Sequence, residues 1–216
     1  MSHDSELQKA VTAELGWEPS VIAAHIGVTA NAGIVTLTGH VSSYAEKHAA
    51  EVATGRVKGV RAVAGELEVR LPFETKRTDE EIAAAAVERL SWDVSVPRDA
   101  VQVRVDKGWI TLSGEVDFHF QKRLAEENVR RLIGVTGVTD QVAIRPRVDA
   151  SDLSEDITYA LHRSWVLDPK TVTVTAEGGR VHLTGTVQTY HDRQIAVDTA
   201  WAAQGVTDVE NDLSIN

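Results

Sequence analysis

The chain has 216 residues, 43% of them apolar and 25% charged, with a formal net charge of −10. It contains no cysteine, which excludes disulfide staples and zinc sites of the thiolate type. The negative charge repels polyanions at long range, so nucleic acid is not expected as a partner.

The first residues, MSHDSELQ, contain neither a basic stretch nor an apolar one. On that ground a cytoplasmic protein is expected, or a periplasmic one if a signal has been trimmed. The strongly apolar run IAAAAV at 82–87 falls far short of the roughly 20 residues that a membrane helix needs, so no transmembrane segment is expected.

Taken in order, Leu7, Val11 and Leu15 recur at helical spacing and predict a first helix. Ile26, Val28 and Ala30 then alternate as a strand does. After the turn Asn31-Ala32-Gly33 comes a second alternation, GIVTLTGHV at 33–41. Ser43-x-x-Glu46 has the form of a capping box and predicts a second helix, which Gly59-Val60 ends. Val63, Leu67 and Val69 predict a closing strand. The order is α-β-β-α-β.

That order then recurs twice. Ile82/Ala86/Leu90 and Ile157/Leu161/Trp165 match the first helix, with capping boxes Thr78-x-x-Glu81 and Asp152-x-x-Glu155 before them. GWITLSGEV at 108–116 and GRVHLTGTV at 179–187 match the strand phrase. Thr189-x-x-Asp192 opens the last helix, and Gly134-Val135 and Gly205-Val206 end the second helices. The turns NAG, DKG and EGG suit a type I turn closed by a left-handed glycine, a bulged hairpin. The interval between second and third strands allows a crossover helix, so those strands are expected to be parallel. The expected class is α+β: three tandem α-β-β-α-β units, each a mixed three-stranded sheet with two helices on one face. The units span 1–71, 79–146 and 152–216, with linkers 72–78 and 147–151. Nine glycines are read as structural: Gly33, Gly39, Gly59, Gly108, Gly114, Gly134, Gly179, Gly185 and Gly205. A unit of this size buries only about 60% of its unfolded surface, so packing between units or against a partner is expected.

The strand phrase [VI]-x-L-[ST]-G-x-V, the Gly-Val twenty residues beyond its glycine and the element order together resemble the BON domain, named for bacterial osmotically inducible and nodulation proteins. Three copies in register cover nearly the whole chain. Members of that family are largely exported envelope proteins, linked to osmotic or envelope stress and to phospholipid binding. A minority are cytoplasmic, one of them responsive to potassium. The resemblance implies a non-enzymatic binding protein with phospholipid as leading ligand. The alternatives are a cytoplasmic cation or small-ligand sensor and a protein-interaction scaffold. It implies no cofactor and no catalytic residue.

The residues themselves add few candidates. The eight histidines show no H-x-x-x-H spacing and predict no metal site. His191 and Asp192 are adjacent, and neighbours on a helix do not face each other. Asn31, Asp106 and Glu177 in the hairpin turns could attract a hard cation, but such residues are also favoured by turns. Lys122, Arg123, Arg130 and Arg131 form a basic patch that could meet phosphate headgroups. Glu126 and Glu127 stand at i,i+4 to these cations and predict a salt-bridged, solvated face. The third unit carries ten Asp/Glu against four Lys/Arg, the most acidic balance of the three. Trp17, Trp92 and Trp165 are expected in core or boundary packing. Trp109 is expected on the outward sheet face with Thr111, either packing between units or lining a binding surface.

Overall fold

The structure, a computed structural model, describes residues 3–146, 150–163, 171–188 and 190–215. The linker 147–151, the caps Asp152 and Thr189, Trp165 and the side chain of His191 lie wholly or partly outside the described residues. Two compact units make up the chain: Met1–Glu88 with Arg104–Ile110 and Asn128–Thr139, and Arg89–Val103 with Thr111–Glu127 and Asp140–Asn216.

Three repeats follow one another along the chain. The first is α1 (His3–Trp17), β1 (Ile26–Asn31), β2 (Ile34–Val41), α2 (Tyr44–Arg56) and β3 (Ala62–Val69). The second is α3 (Asp79–Trp92), β4 (Val101–Asp106), β5 (Trp109–Val116), α4 (His119–Arg130) and β6 (Gly137–Ile144). The third is α5 (Ala150–His162), β7 (Val172–Glu177), β8 (Arg180–Val187), α6 (Tyr190–Ala202) and β9 (Asp208–Ile215). Each repeat forms its own three-stranded sheet, in the orders β1-β2-β3, β4-β5-β6 and β7-β8-β9. The hairpin strands β1–β2 and β7–β8 are antiparallel, and the crossover strands β2–β3 and β8–β9 are parallel.

The core of each repeat follows from its two periodicities. In the first, Leu7, Val11 and Leu15 pack with Val35, Leu37 and Val41 and with Ala50, Ala53 and Leu67. In the third, Leu153, Ile157 and Leu161 pack with Val181, Leu183 and Val187 and with Ala196, Ala200 and Leu213. The alanines on the second helix let its backbone approach the sheet closely, while the larger side chains come from the first helix and the middle strand.

The hairpins differ from expectation. Asn31 pairs with Ile34 and Glu177 with Arg180, so the loops have two residues and no bulge. Both loop residues are left-handed: Ala32 (φ 49°) with Gly33 (φ 83°), Lys107 (φ 51°) with Gly108 (φ 78°), and Gly178 (φ 57°) with Gly179 (φ 87°). These are type I′ turns, whose twist matches that of the flanking strands. Alanine and lysine are poor residues for this conformation. Replacing Ala32 with Asn should therefore raise the melting temperature of the first repeat, by a stabilisation of about 0.5–1 kcal/mol.

Two tryptophans are also corrected. Trp17 is 84% exposed and Trp92 78% exposed, so neither belongs to core or boundary packing. Leu15 and Leu90 hold the packed face, and a side chain two residues further on lies about 200° around the helix.

Candidate functional site

The hairpin end of each repeat is built by two glycines distant in sequence. A Cβ on Gly108 would crowd the Gly134 carbonyl oxygen, and one on Gly179 would crowd that of Gly205. The carbonyls of Gly33, Gly108 and Gly179 accept the N–H groups of Arg61, Thr136 and Thr207, at 2.8, 2.9 and 2.8 Å. Gly59, Gly134 and Gly205 have φ of 97°, 93° and 81°. At the other end of the middle strand, Gly39, Gly114 and Gly185 have φ of 111°, 126° and 124°. A Cβ there would overlap the carbonyl oxygens of His25, Ala100 and Thr171.

The second helix of the first repeat is anchored by Glu46, which is 6% exposed. Ser43 caps the helix, its side chain accepting from the Glu46 N–H at 3.1 Å. The Glu46 carboxylate accepts from the Ile22 N–H, the Ser42 N–H and the Ser42 hydroxyl, at 2.8, 2.8 and 2.7 Å. Burial pushes this carboxyl up, but those three donors outweigh burial and hold it below the usual carboxylate range. In the second repeat Gln121 takes the same place, and its Oε1 accepts from Asp117 N–H and Phe118 N–H, both at 3.1 Å.

The basic residues of α4 do not form one open patch. The Lys122 ammonium donates to the Val142 carbonyl at 2.6 Å and lies 3.9 Å from Asp140. Lys47 and Arg193 make the equivalent reach, donating to the Leu67 and Asn211 carbonyls at 3.0 and 3.4 Å. A cation at this helix position therefore ties each second helix to its sheet, a role that charge patterning alone did not reveal. Arg130 meets His48 Nε2 at 2.7 Å. Arg123 and Arg131 are exposed. Trp109 is 48% exposed. Its ring lies over Gly137, and its Nε1 donates to Thr139 Oγ1 at 2.8 Å. It therefore rests on its own sheet while leaving half its surface open. His119 stacks on Trp201 at 4.0 Å. Burial pushes its imidazole below the usual range, and the nearby charges of Arg123 and Lys122 add to that.

Among the described residues, two of the surface grooves bear on function. The first is lined by Arg70, Leu71, Lys76, Arg77, Lys107 and Thr136, among others. The Asp79 carboxylate sits in its floor and accepts the Lys107 and Gly108 N–H groups, both at 2.8 Å. The chain between Leu71 and Lys76 makes a 3-10 turn, Phe73–Thr75, on which Phe73 is 84% exposed. The second groove lies on the outer face of the third sheet and is lined by Thr175, Glu177, Arg180, His182, Thr207 and Glu210, among others. There the structure brings together what the sequence reading kept apart. His182, Glu210 and Asp212 each place one ligand-type atom within 4.8 Å of the other two. The His182 Nε2 to Asp212 Oδ2 distance is 2.8 Å.

Comparison with known proteins gives a consistent kinship. The chain is 32% identical over 121 residues to Osmotically-inducible protein Y of Escherichia coli (strain K12), which is 52% of this chain and 60% of that protein. The match thus spans less than two thirds of the relative's length. Two solved structures of CdsD, a structural protein of the Type III secretion system of Chlamydia trachomatis, one of them its C-terminal domain, are 16% and 17% identical. Each match covers 98% of this chain, and 92% and 98% of theirs, but with TM-scores of 0.28. Overlap at that level carries no argument about this chain. The cytoplasmic location expected from the first residues is overturned by the kinship with Osmotically-inducible protein Y. The BON domain model matches residues 3–70, 78–146 and 149–216, so the chain is a tandem array of three BON domains and belongs to the BON domain family.

Proposed function

We propose that this BON-domain protein is a non-enzymatic envelope-stress protein that docks on anionic phospholipid surfaces through the segment joining its first two repeats. The observation that carries the reading is Phe73, 84% exposed on a 3-10 turn, between Leu71 and Lys76 of a groove also lined by Arg70, Arg77 and Lys107. Glu68 and Asp79 also line the groove and Glu74 is exposed beside the ring, so the reading rests on the ring burying apolar area while the neighbouring cations meet phosphates.

The magnitudes make this a weak, salt-sensitive contact. Burying one Phe side chain contributes about 1.5–3 kcal/mol, and each nearby Lys or Arg adds about 1 kcal/mol at an anionic surface. Some of that is offset within the protein. Arg70 pairs with Glu68 at 2.7 Å, and Arg77 donates to the Glu74 and Lys76 carbonyls at 2.9 and 2.8 Å. The net charge of −10 opposes approach at long range. Lys122 and Arg130 of α4 hold partners within the protein, so Arg123 and, just past the helix, Arg131 are secondary candidates.

Co-sedimentation with phosphatidylglycerol and phosphatidylcholine vesicles tests the reading. Binding to the anionic vesicles at low salt is expected. It should fall as salt shortens the screening length from about 10 Å at 0.1 M to about 3 Å at 1 M. Phe73→Ser and Lys76→Glu should each weaken it by about tenfold or more. Absence of binding to anionic vesicles at low salt defeats the proposal.

A further inference from the structure

We propose that His182, Glu210 and Asp212 form a site for a divalent transition-metal ion, with Zn²⁺ as the type case, on the outer face of the third sheet. The site is independent of the lipid reading. In the parallel pairing of β8 with β9, His182 stands opposite Glu210 and Thr184 opposite Asp212. The period of two puts His182, Glu210 and Asp212 on one face, away from the core residues Val181, Leu183 and Leu213. One imidazole and two carboxylates make a donor set suited to zinc, with bonds of about 2.0–2.2 Å. The three ligand atoms already lie within 4.8 Å of one another. Rotation of the exposed Glu210 and Asp212 carboxylates is enough to close them on one ion, leaving the remaining positions to water. Asp212 already holds the imidazole Nε2 at 2.8 Å.

The other repeats provide an internal comparison. At the places of His182, Glu210 and Asp212 the first repeat carries Thr36, Ala64 and Glu66, and the second carries Thr111, Thr139 and Gln141. The same sheet is built in all three repeats, so the fold does not require this trio. The charged surroundings favour a cation. Arg180 on the same face is neutralised by Asp208 at 3.4 Å, and Glu177 lines the adjoining groove.

Calorimetric titration of the full chain with zinc chloride, without lipid, tests the site. One zinc per chain is expected at pH 7.5. Magnesium should not compete, being a hard ion that prefers an all-oxygen shell. His182→Thr installs the residue that the first two repeats carry, so it preserves the fold. It should weaken zinc by more than the about tenfold that loss of an outer-shell partner costs. Nuclear magnetic resonance of the histidine rings should show the His182 signals moving with the first equivalent. No binding by the native chain, an equal affinity in His182→Thr, or magnesium competing as well as zinc would each overturn the assignment.

Discussion

Replacing Gly39 with alanine should unfold the first repeat, whereas replacing Gly55, sixteen residues along, should stabilise it. Gly39 sits at φ 111°, and an added Cβ would overlap the His25 carbonyl oxygen. The strained backbone costs about 1–3 kcal/mol, and relief of the overlap must move the start of β1 as well. A single core of this size rarely supplies more than about 3–5 kcal/mol, so little of the repeat's stability would remain. Gly55 lies in α2 with nothing within 4 Å of an added Cβ. Alanine there gains about 0.5–1 kcal/mol from helix propensity and a less mobile unfolded chain. Hydrogen exchange resolved by repeat reads both changes in the same chain. Equal effects of the two substitutions would contradict the account of the strand phrase.

The second large effect concerns Glu46. Its three accepted hydrogen bonds bind the loop before β1, the end of β2 and the start of α2. Glu46→Ala leaves Ile22 and Ser42 donors short of a partner and should cost about 2–3 kcal/mol. Glu46→Gln should cost less, about 1 kcal/mol at neutral pH, because Gln121 performs the equivalent task in the second repeat. The two differ in acid. The folded carboxyl is held below its unfolded value of about 4.3, so its contribution is present in full above that value. It is lost as pH falls through the lower, folded value. Denaturant melts from pH 7 to pH 3 should show the native chain converging on Glu46→Gln. A constant gap between them would contradict the assignment.

Element order and core were legible because both depend on period. Leu7/Val11/Leu15 and Val35/Leu37 announce their faces within a few residues, and the capping pair Thr78–Glu81 closes reciprocally at 2.8 and 3.3 Å. The turn type was not legible. A left-handed glycine in last place serves both a bulged hairpin and a type I′ turn, and Ala32 and Lys107 lack the Asn or Gly that would have marked the second. Trp17 and Trp92 face solvent, against expectation, because each follows a packed leucine by two residues, where the helix has already turned outward.

The candidate sites were harder to read because each depends on register. His182 and Asp212 are 30 residues apart, so no spacing rule for one helix could join them. The signal lay in β9, where Asp208, Glu210 and Asp212 alternate on a single face. From charge spacing, Lys122 reads as part of a salt-bridged, solvated helix face with Glu126. Only the sheet beneath it shows that it binds the Val142 carbonyl.

The docking claim is tested most directly by nuclear magnetic resonance of the full chain with phosphatidylglycerol vesicles carrying a spin-labelled lipid. The account predicts that Phe73, Lys76 and their neighbours broaden first, and that the broadening disappears at high salt. Broadening centred elsewhere, with Phe73 untouched while the protein is bound, would contradict it.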